Sequence, residues 1–200
     1  MPVDLPTWGP QRLPVPYAAV WSGERRGSGG ALVVRPRGLA YRDETPADRD
    51  RHGVLWARVT EEPGAGRPDF GAMHPVRQRA AMLGLRCQVC GGPAGRTSRG
   101  WLFVLPDEPA AREPEGALTT KPPLCSPCAD LALRHCPHLR TPLATRSRKP
   151  RVWGVFGELF APGTEGPAHF PYAHPATPWL LATQVVLQLT RCTPADLTRS

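Results

Sequence analysis

Residues 87–90 (Cys-Gln-Val-Cys) and residues 125–128 (Cys-Ser-Pro-Cys) each place two cysteines three positions apart. Two such C-x-x-C pairs supply four thiolates, which is the number that a tetrahedral structural zinc ion binds. A zinc ion with four protein ligands has no open position for a substrate. The motif therefore predicts one structural zinc and no catalytic residue, with these metal ligands: Cys87, Cys90, Cys125 and Cys128.

The other reactive side chains near the second pair leave an alternative open. His135, Cys136 and His138 follow it closely, and the sequence does not decide whether they take part in metal binding. Cys136 lies about two helical turns beyond Cys128, so we expect it to be a small buried apolar residue, as we do for Cys192. A thioredoxin-like redox motif uses a single C-x-x-C, so two distant pairs favour metal binding in a reducing cytosol.

The segments that flank the cysteines predict regular elements. A helix is expected over 74–84 with Val76, Ala80 and Leu83 on its apolar face, followed by a strand over 101–105. A second helix is expected over 126–136, capped by Ser126. This order over 75–138, with a cysteine turn, a hairpin and a helix that bears the last ligands, resembles a treble-clef zinc finger.

The whole chain predicts a small mixed α+β domain with short strands and few helices, because 26 prolines and 20 glycines interrupt its 200 residues. Residues 1–22 are expected to form a proline-rich extended arm, and residues 23–200 a single domain that contains the zinc module 75–138. Further strands are expected at 31–34, 38–41, 54–59 and 152–160, with the first three sharing a core with the last. A largely buried C-terminal helix is expected from Thr177 to about Arg191.

The charge balance leaves two interpretations. The formal net charge is +8, which is typical of nucleic-acid-binding proteins. Only two of the 25 basic residues are lysines, however, and this arginine bias also follows from GC-rich coding. No apolar run reaches the length of a membrane span and no signal peptide is visible, so we expect a cytoplasmic protein without a membrane partner.

The basic connection after the second helix is the candidate DNA or RNA site. Arginines and lysines neutralise phosphates, and an adjacent tryptophan can stack on a base. A solvated basic loop would have the same composition. The candidate residues are Arg140, Arg146, Arg148, Lys149, Arg151 and Trp153.

A protein-interaction or assembly role with purely structural zinc is the alternative function. The N-terminal arm, the C-terminal helix and the tryptophans Trp8, Trp21 and Trp179 are the surfaces expected to contact a protein partner or a second copy.

An enzymatic alternative comes from a resemblance. Residues 77–92 (RQRAAMLGLRCQVCGG) resemble the start of HNH-type endonucleases, which have a treble-clef core. The resemblance implies a general-base histidine between or after the two cysteine pairs. No histidine lies between Cys90 and Cys125, and His135 and His138 lie on or after the helix at 126–136 without a preceding Asp-His pair in the hairpin. The core is therefore expected to be catalytically degenerate, and an HNH-like nuclease is the leading enzymatic alternative.

One acidic tract carries a second resemblance. Residues 43–56 (DETPADRDRHGVLW), together with the first cysteine pair, are similar to an uncharacterised actinomycete family of about this length, which implies a family but no activity. The tract has the residue types of a cation site, but also those of a solvated turn balanced by Arg42, Arg49 and Arg51. Its candidate ligands are Asp43, Glu44, Asp48, Asp50 and His52.

Overall fold

The computed structural model describes residues 5–24, 31–106, 113–139, 142–161 and 163–197. These residues form a mixed domain with two α-helices and many short strands, as expected. The helices are α1 (Pro75–Leu83) and α2 (Ser126–His135). The strands are β1 (Thr7–Trp8), β2 (Leu13–Pro14), β3 (Ala19–Trp21), β4 (Leu32–Arg35), β5 (Gly38–Tyr41), β6 (Leu55–Trp56), β7 (Pro68–Met73), β8 (Arg96–Thr97), β9 (Gly100–Leu105), β10 (Leu118–Thr119), β11 (Leu143–Ser147), β12 (Arg151–Ala161), β13 (Thr164–Pro171), β14 (Leu180–Gln188) and β15 (Cys192–Pro194).

The larger sheet is built around β14. Its strand order is β10-β14-β12-β13, and β6 joins it by pairing in parallel with β14. Strand β14 therefore has β12 along one edge, and β6 and β10 along different parts of the other. Its central position explains why six of its nine residues are apolar.

The predicted C-terminal helix is wrong. Thr177–Trp179 forms a single turn of 3-10 helix, and the chain then continues as β14. A short apolar run with β-branched residues, here Val185 and Val186, fits a buried strand as well as a buried helix. The helix surface that was expected to contact a partner therefore does not exist.

The smaller sheet, with strand order β15-β11-β9-β8, lies between two cores. Along β9, Phe103 and Leu105 belong to the main core with residues of β12 and β14. The alternate residues Leu102 and Val104 belong to a second core around the buried cysteines. Because alternate side chains of a strand point to opposite faces, β9 joins the cysteine region to the rest of the domain.

Helix α1 docks on β14 through a polar side chain. The fully buried Gln78 accepts a hydrogen bond from Val185 N (2.9 Å) and donates to Val185 O (3.0 Å) and Thr120 O (2.8 Å). It thus pairs with β14 in the gap between β6 and β10. The predicted apolar face of α1 is wrong, because Leu83 is 55% exposed while Arg77 and Gln78 are buried.

Arg77 anchors α1 on its other side. Its guanidinium donates to both carboxylate oxygens of the buried Glu24, at 2.5 and 2.6 Å, and to Ala19 O at 2.6 Å. Glu24 also accepts hydrogen bonds from the amides of Trp21 and Glu62. This buried ion pair holds the segment around β3 against the helix.

The described part of the expected N-terminal arm, residues 5–22, packs on its own chain. Strands β1 and β2 form a hairpin, and Val15, Ala18 and Trp21 are buried. Of the tryptophans expected at a surface, Trp21 is 5% exposed, Trp179 packs against the main core and Trp8 is 38% exposed.

The remaining predictions agree with the structure in most places. Both helices around the cysteines and the strand at 101–105 are confirmed, and the expected strand at 152–160 lies within β12. The expected strands at 31–34 and 38–41 form a separate hairpin, β4-β5, whereas β6 is shorter than expected and joins the larger sheet. No helix in the described part of the chain is long and apolar enough to cross a membrane.

Candidate metal centre and basic edge

The four predicted cysteine ligands converge on one point. Their sulfur atoms all lie within 4.8 Å of one another, and Cys90 Sγ and Cys125 Sγ are 3.9 Å apart. Four sulfurs bound tetrahedrally at about 2.3 Å from a zinc ion would be about 3.8 Å apart. The cluster can therefore hold one metal ion, and Cys87 and Cys128 are its most buried members.

The first pair lies in a tight turn that the N-terminal segment braces. The Cys87 amide donates to Gly92 O and the Gly91 amide to Cys87 O, while Gly91 has a φ of +69°. A Cβ atom at Gly91 would lie 2.8 Å from the Tyr17 ring. Glycine is therefore required here for two reasons: it tolerates the positive φ, and it leaves room for the Tyr17 ring. The Tyr17 amide also bonds to Val89 O.

The second pair lies at the start of α2. Cys125 is the N-cap residue, one position earlier than the predicted cap at Ser126, and Cys128 is in the first turn. The segment before Cys125 is tied to the smaller sheet because the Leu124 amide donates to Leu102 O and the Gly95 amide donates to Leu124 O. These bonds fix the distance between the two pairs.

The electrostatics of the cluster oppose ionisation of all four thiols in the absence of a cation. Burial raises the pKa of Cys87 to about 11, although the amides of Cys90, Cys125 and Val89 bond to its sulfur. Burial, together with the charge of Cys87, also raises the pKa of Cys128. For Cys90, burial is outweighed by hydrogen bonds, first from the Gly92 amide, and the pKa is lowered. Four thiolates so close together repel one another unless a metal ion balances their charge.

The open alternatives near the second pair are not part of the cluster. His135 ends α2, and Cys136 and His138 follow it, but none of the three is among the grouped ligands. Within the described ranges, the four cysteines are the one group of three or more His, Cys, Asp or Glu side chains that lie close enough together to hold a metal ion. An HNH-like nuclease would therefore have no second group of three or more such ligands in this part of the chain.

The acidic tract at 43–56 is neutralised by arginines rather than arranged around a cation. Arg58 donates to both carboxylate oxygens of Asp48, at 2.7 and 2.8 Å, and Arg49 does the same to Glu44. Asp50 accepts from the Trp56 indole N–H at 3.0 Å. Of the balancing residues expected from the sequence, Arg49 takes this role, while Arg58 was not foreseen.

The predicted nucleic-acid residues divide into three groups. Arg140 lies outside the described residues. Arg146, on β11, donates to the carbonyls of Gly95 and Gly100 at 3.3 Å and so supports the smaller sheet. Arg148 and Lys149 are exposed in the turn after β11, where Arg151 and Trp153 begin β12.

The turns at 98–99 and 189–191 bring further cations towards the turn at 148–150, which carries Arg148 and Lys149. The amides of Arg148 and Lys149 bond to the carbonyls of Arg191 and Thr190. Gly100 packs so closely on the Ser147–Arg148 peptide that a Cβ atom there would lie 2.1 Å from Ser147 O. We call the exposed cations of these turns and the adjoining strands the basic edge: Arg96, Arg99, Arg148, Lys149, Arg151 and Arg191.

No side chain of the basic edge forms an ion pair with a carboxylate among the residues that the structure describes. Glu115 lies beside Arg191, but its carboxylate accepts from the amides of Arg191 and Cys192. The guanidinium of Arg96 lies over the Trp101 ring, 4.5 Å from its centroid. Sequence reasoning missed Arg96, Arg99 and Arg191, because only the folded chain brings them next to residues 148–151.

Comparisons of the chain with protein-family models, with curated proteins and with solved structures each gave no significant match. The functional interpretation of the site therefore depends on its own geometry.

Proposed function

We propose that this protein is a non-catalytic, zinc-stabilised protein that binds nucleic acid. The observation that carries the proposal is the basic edge, where three turns from distant parts of the sequence meet and, with the adjoining strands, carry six exposed cations. Exposed cations concentrated on one edge create a positive potential that attracts phosphates. A net charge of +8 adds a long-range attraction to the local one.

Zinc is the metal that we propose for the cysteine cluster, because four thiolates in a closed tetrahedron suit zinc better than magnesium or calcium. The cysteine turn, the β8-β9 hairpin and α2 follow in the order of a treble clef, and we propose that relationship for the module. Reduced cysteines further favour a cytoplasmic location.

The metal and the basic edge are mechanically linked in this proposal. Strand β9 begins at Gly100, which packs on the turn bearing Arg148, and carries Leu102 into the cysteine core. Zinc would therefore fix the positions of the turns without touching the nucleic acid. The roles of the two features are separable: removing the metal should unfold the site, whereas removing charges should weaken binding by a folded protein.

Salt-dependent binding tests the proposal. We would measure fluorescence anisotropy of labelled single-stranded and duplex oligonucleotides with the wild type and with an Arg148→Ser/Lys149→Ser double variant. If both side chains contact phosphates, the slope of log affinity against log salt should become shallower by roughly 1.4 to 1.8.

An Arg37→Ser/Arg42→Ser double variant is the matched control, because it removes the same charge from exposed positions elsewhere. Strand β5, next to both arginines, packs on Leu181 near the start of β14, whereas the basic edge adjoins its end at Gln188. These positions are roughly 23 Å apart along the strand. No binding to any oligonucleotide at low salt, or equal loss in both double variants, would contradict the proposal.

A further inference from the structure

The face of the larger sheet that points away from the main core carries a group of aromatic side chains. In the register, Phe156 of β12 lies opposite His169 of β13 and Gln184 of β14. The neighbouring row, which includes Val155 and Val185, belongs to the main core. Since successive residues alternate between faces, Phe156, His169 and Gln184 share the outer face.

Trp153 joins this group because of a bulge. The pairing of β12 with β14 shifts between Val152 and Gly154, which leaves Trp153 without a partner on β14. Its ring contacts that of His169, with centroids 5.7 Å apart and planes tilted by 51°. Bulges commonly redirect a side chain at a functional surface. We call Trp153, Phe156 and His169 the aromatic platform.

The platform lies on the half of the outer face that is away from the β4-β5 hairpin. Towards the other end, Phe160 and Leu181 pack against the β4-β5 hairpin through Leu39 and Tyr41. On the platform itself His169 is exposed, while Trp153 and Phe156 keep part of their surface accessible to solvent. Two aromatic rings that remain partly accessible can offer part of their faces to a ligand.

The outer face carries a basic residue at one end of the platform and acidic residues beyond the other end. Arg151 lies opposite Gln188 at the end next to Trp153, and it belongs to the basic edge. Glu158 and Glu165 lie on the same face beyond Phe156, away from Arg151. A polyanion would therefore be attracted at the Trp153 end and repelled at the other.

We propose that the aromatic platform binds the bases of single-stranded nucleic acid, while Arg148, Lys149 and Arg151 contact the adjoining phosphates. This inference rests on the proposed function and names its substrate class. Stacking of a base on an aromatic side chain contributes about 1–3 kcal/mol and tolerates any base. The faces of paired bases are inaccessible inside a duplex, so the platform should favour unpaired strands.

The test compares oligo-dT, oligo-U and a mixed-sequence duplex of equal length by anisotropy at low salt. Trp153→Leu removes the aromatic face but keeps an apolar side chain. We expect it to weaken single-strand binding about 5- to 150-fold, which corresponds to 1–3 kcal/mol, without changing duplex binding. Preference for oligo-dT or oligo-U would distinguish DNA from RNA as the bound strand.

Trp8→Leu is the matched control, because Trp8 is exposed on β1 and should not affect binding. Phe156→Leu provides a second variant on the platform if Trp153→Leu does not fold, and it should weaken single-strand binding in the same direction. Thermal unfolding of each variant checks that the sheet is intact.

Three outcomes decide the inference. A single-strand preference that both platform variants reduce, and that Trp8→Leu leaves unchanged, supports it. Equal binding of single strands and duplex, with no effect of Trp153→Leu or Phe156→Leu, overturns it but leaves the proposed function standing. No nucleic-acid binding at all overturns both.

Discussion

Replacement of Gln78 by leucine should destabilise the protein strongly, although leucine is nearly the same size and is apolar. Gln78 is fully buried and makes three hydrogen bonds to backbone groups, two of them to Val185. In Gln78→Leu the Val185 amide, the Val185 carbonyl and the Thr120 carbonyl lose these bonds. Each buried unsatisfied group costs about 1–3 kcal/mol, so the three together should cost about 3–9 kcal/mol.

That loss is a large share of the roughly 5–15 kcal/mol that stabilises a typical domain. Urea unfolding followed by circular dichroism, with zinc present, measures it as a lower midpoint at an unchanged slope. Gln184→Leu is the control, because it makes the same substitution on β14 at a half-buried position. It should stay within about 0.5 kcal/mol of the wild type. A Gln78→Leu variant as stable as Gln184→Leu would refute the pairing of α1 with β14.

Two further predictions concern the metal module and the buried ion pair. Gly91→Ala should lower the free energy of unfolding by about 2–3 kcal/mol, because it adds a close contact with the Tyr17 ring to the strain of a positive φ. Gly53→Ala is the control, because it has the same strain with open space around it. It should lower the free energy of unfolding by about 1–2 kcal/mol. Equal midpoints of thermal unfolding for the two variants would contradict this contact. Burial opposes ionisation of Glu24, but the hydrogen bond from Arg77 and the further bonds outweigh it and lower its pKa. A lowered pKa stabilises the fold above the unfolded value of 4.5, so stability should fall as the pH drops below about 4.5. In Glu24→Gln the pH dependence of the unfolding midpoint should be shallower, and an unchanged pH profile would show that Glu24 does not contribute.

The parts of the fold that the sequence predicts are those with local signals. The C-x-x-C pairs, the helix that begins at Pro75 and the helix that begins at Ser126 each depend on residues within one turn of each other. The metal cluster was predictable for the same reason, because the spacing within each pair already limits where the sulfurs can lie.

The parts that could not be predicted depend on contacts between distant residues. The apolar periodicity of α1 pointed to Leu83, but the buried face uses Arg77 and Gln78, whose partners lie at 24 and 185. Apolar content alone did not distinguish a buried strand from a buried helix at 180–188. The basic edge combines three turns that are far apart in the sequence, so no single stretch indicates it.

Metal content of the purified protein, measured together with its fold, tests the central claim most directly. If the four cysteines hold one structural zinc, elemental analysis should find one zinc per chain, and removal by a strong chelator should unfold the module, since structural zinc supplies folding energy. Cys128→Ser should likewise lack zinc and fold poorly. A metal-free wild-type protein with unchanged circular dichroism and melting temperature would contradict the account.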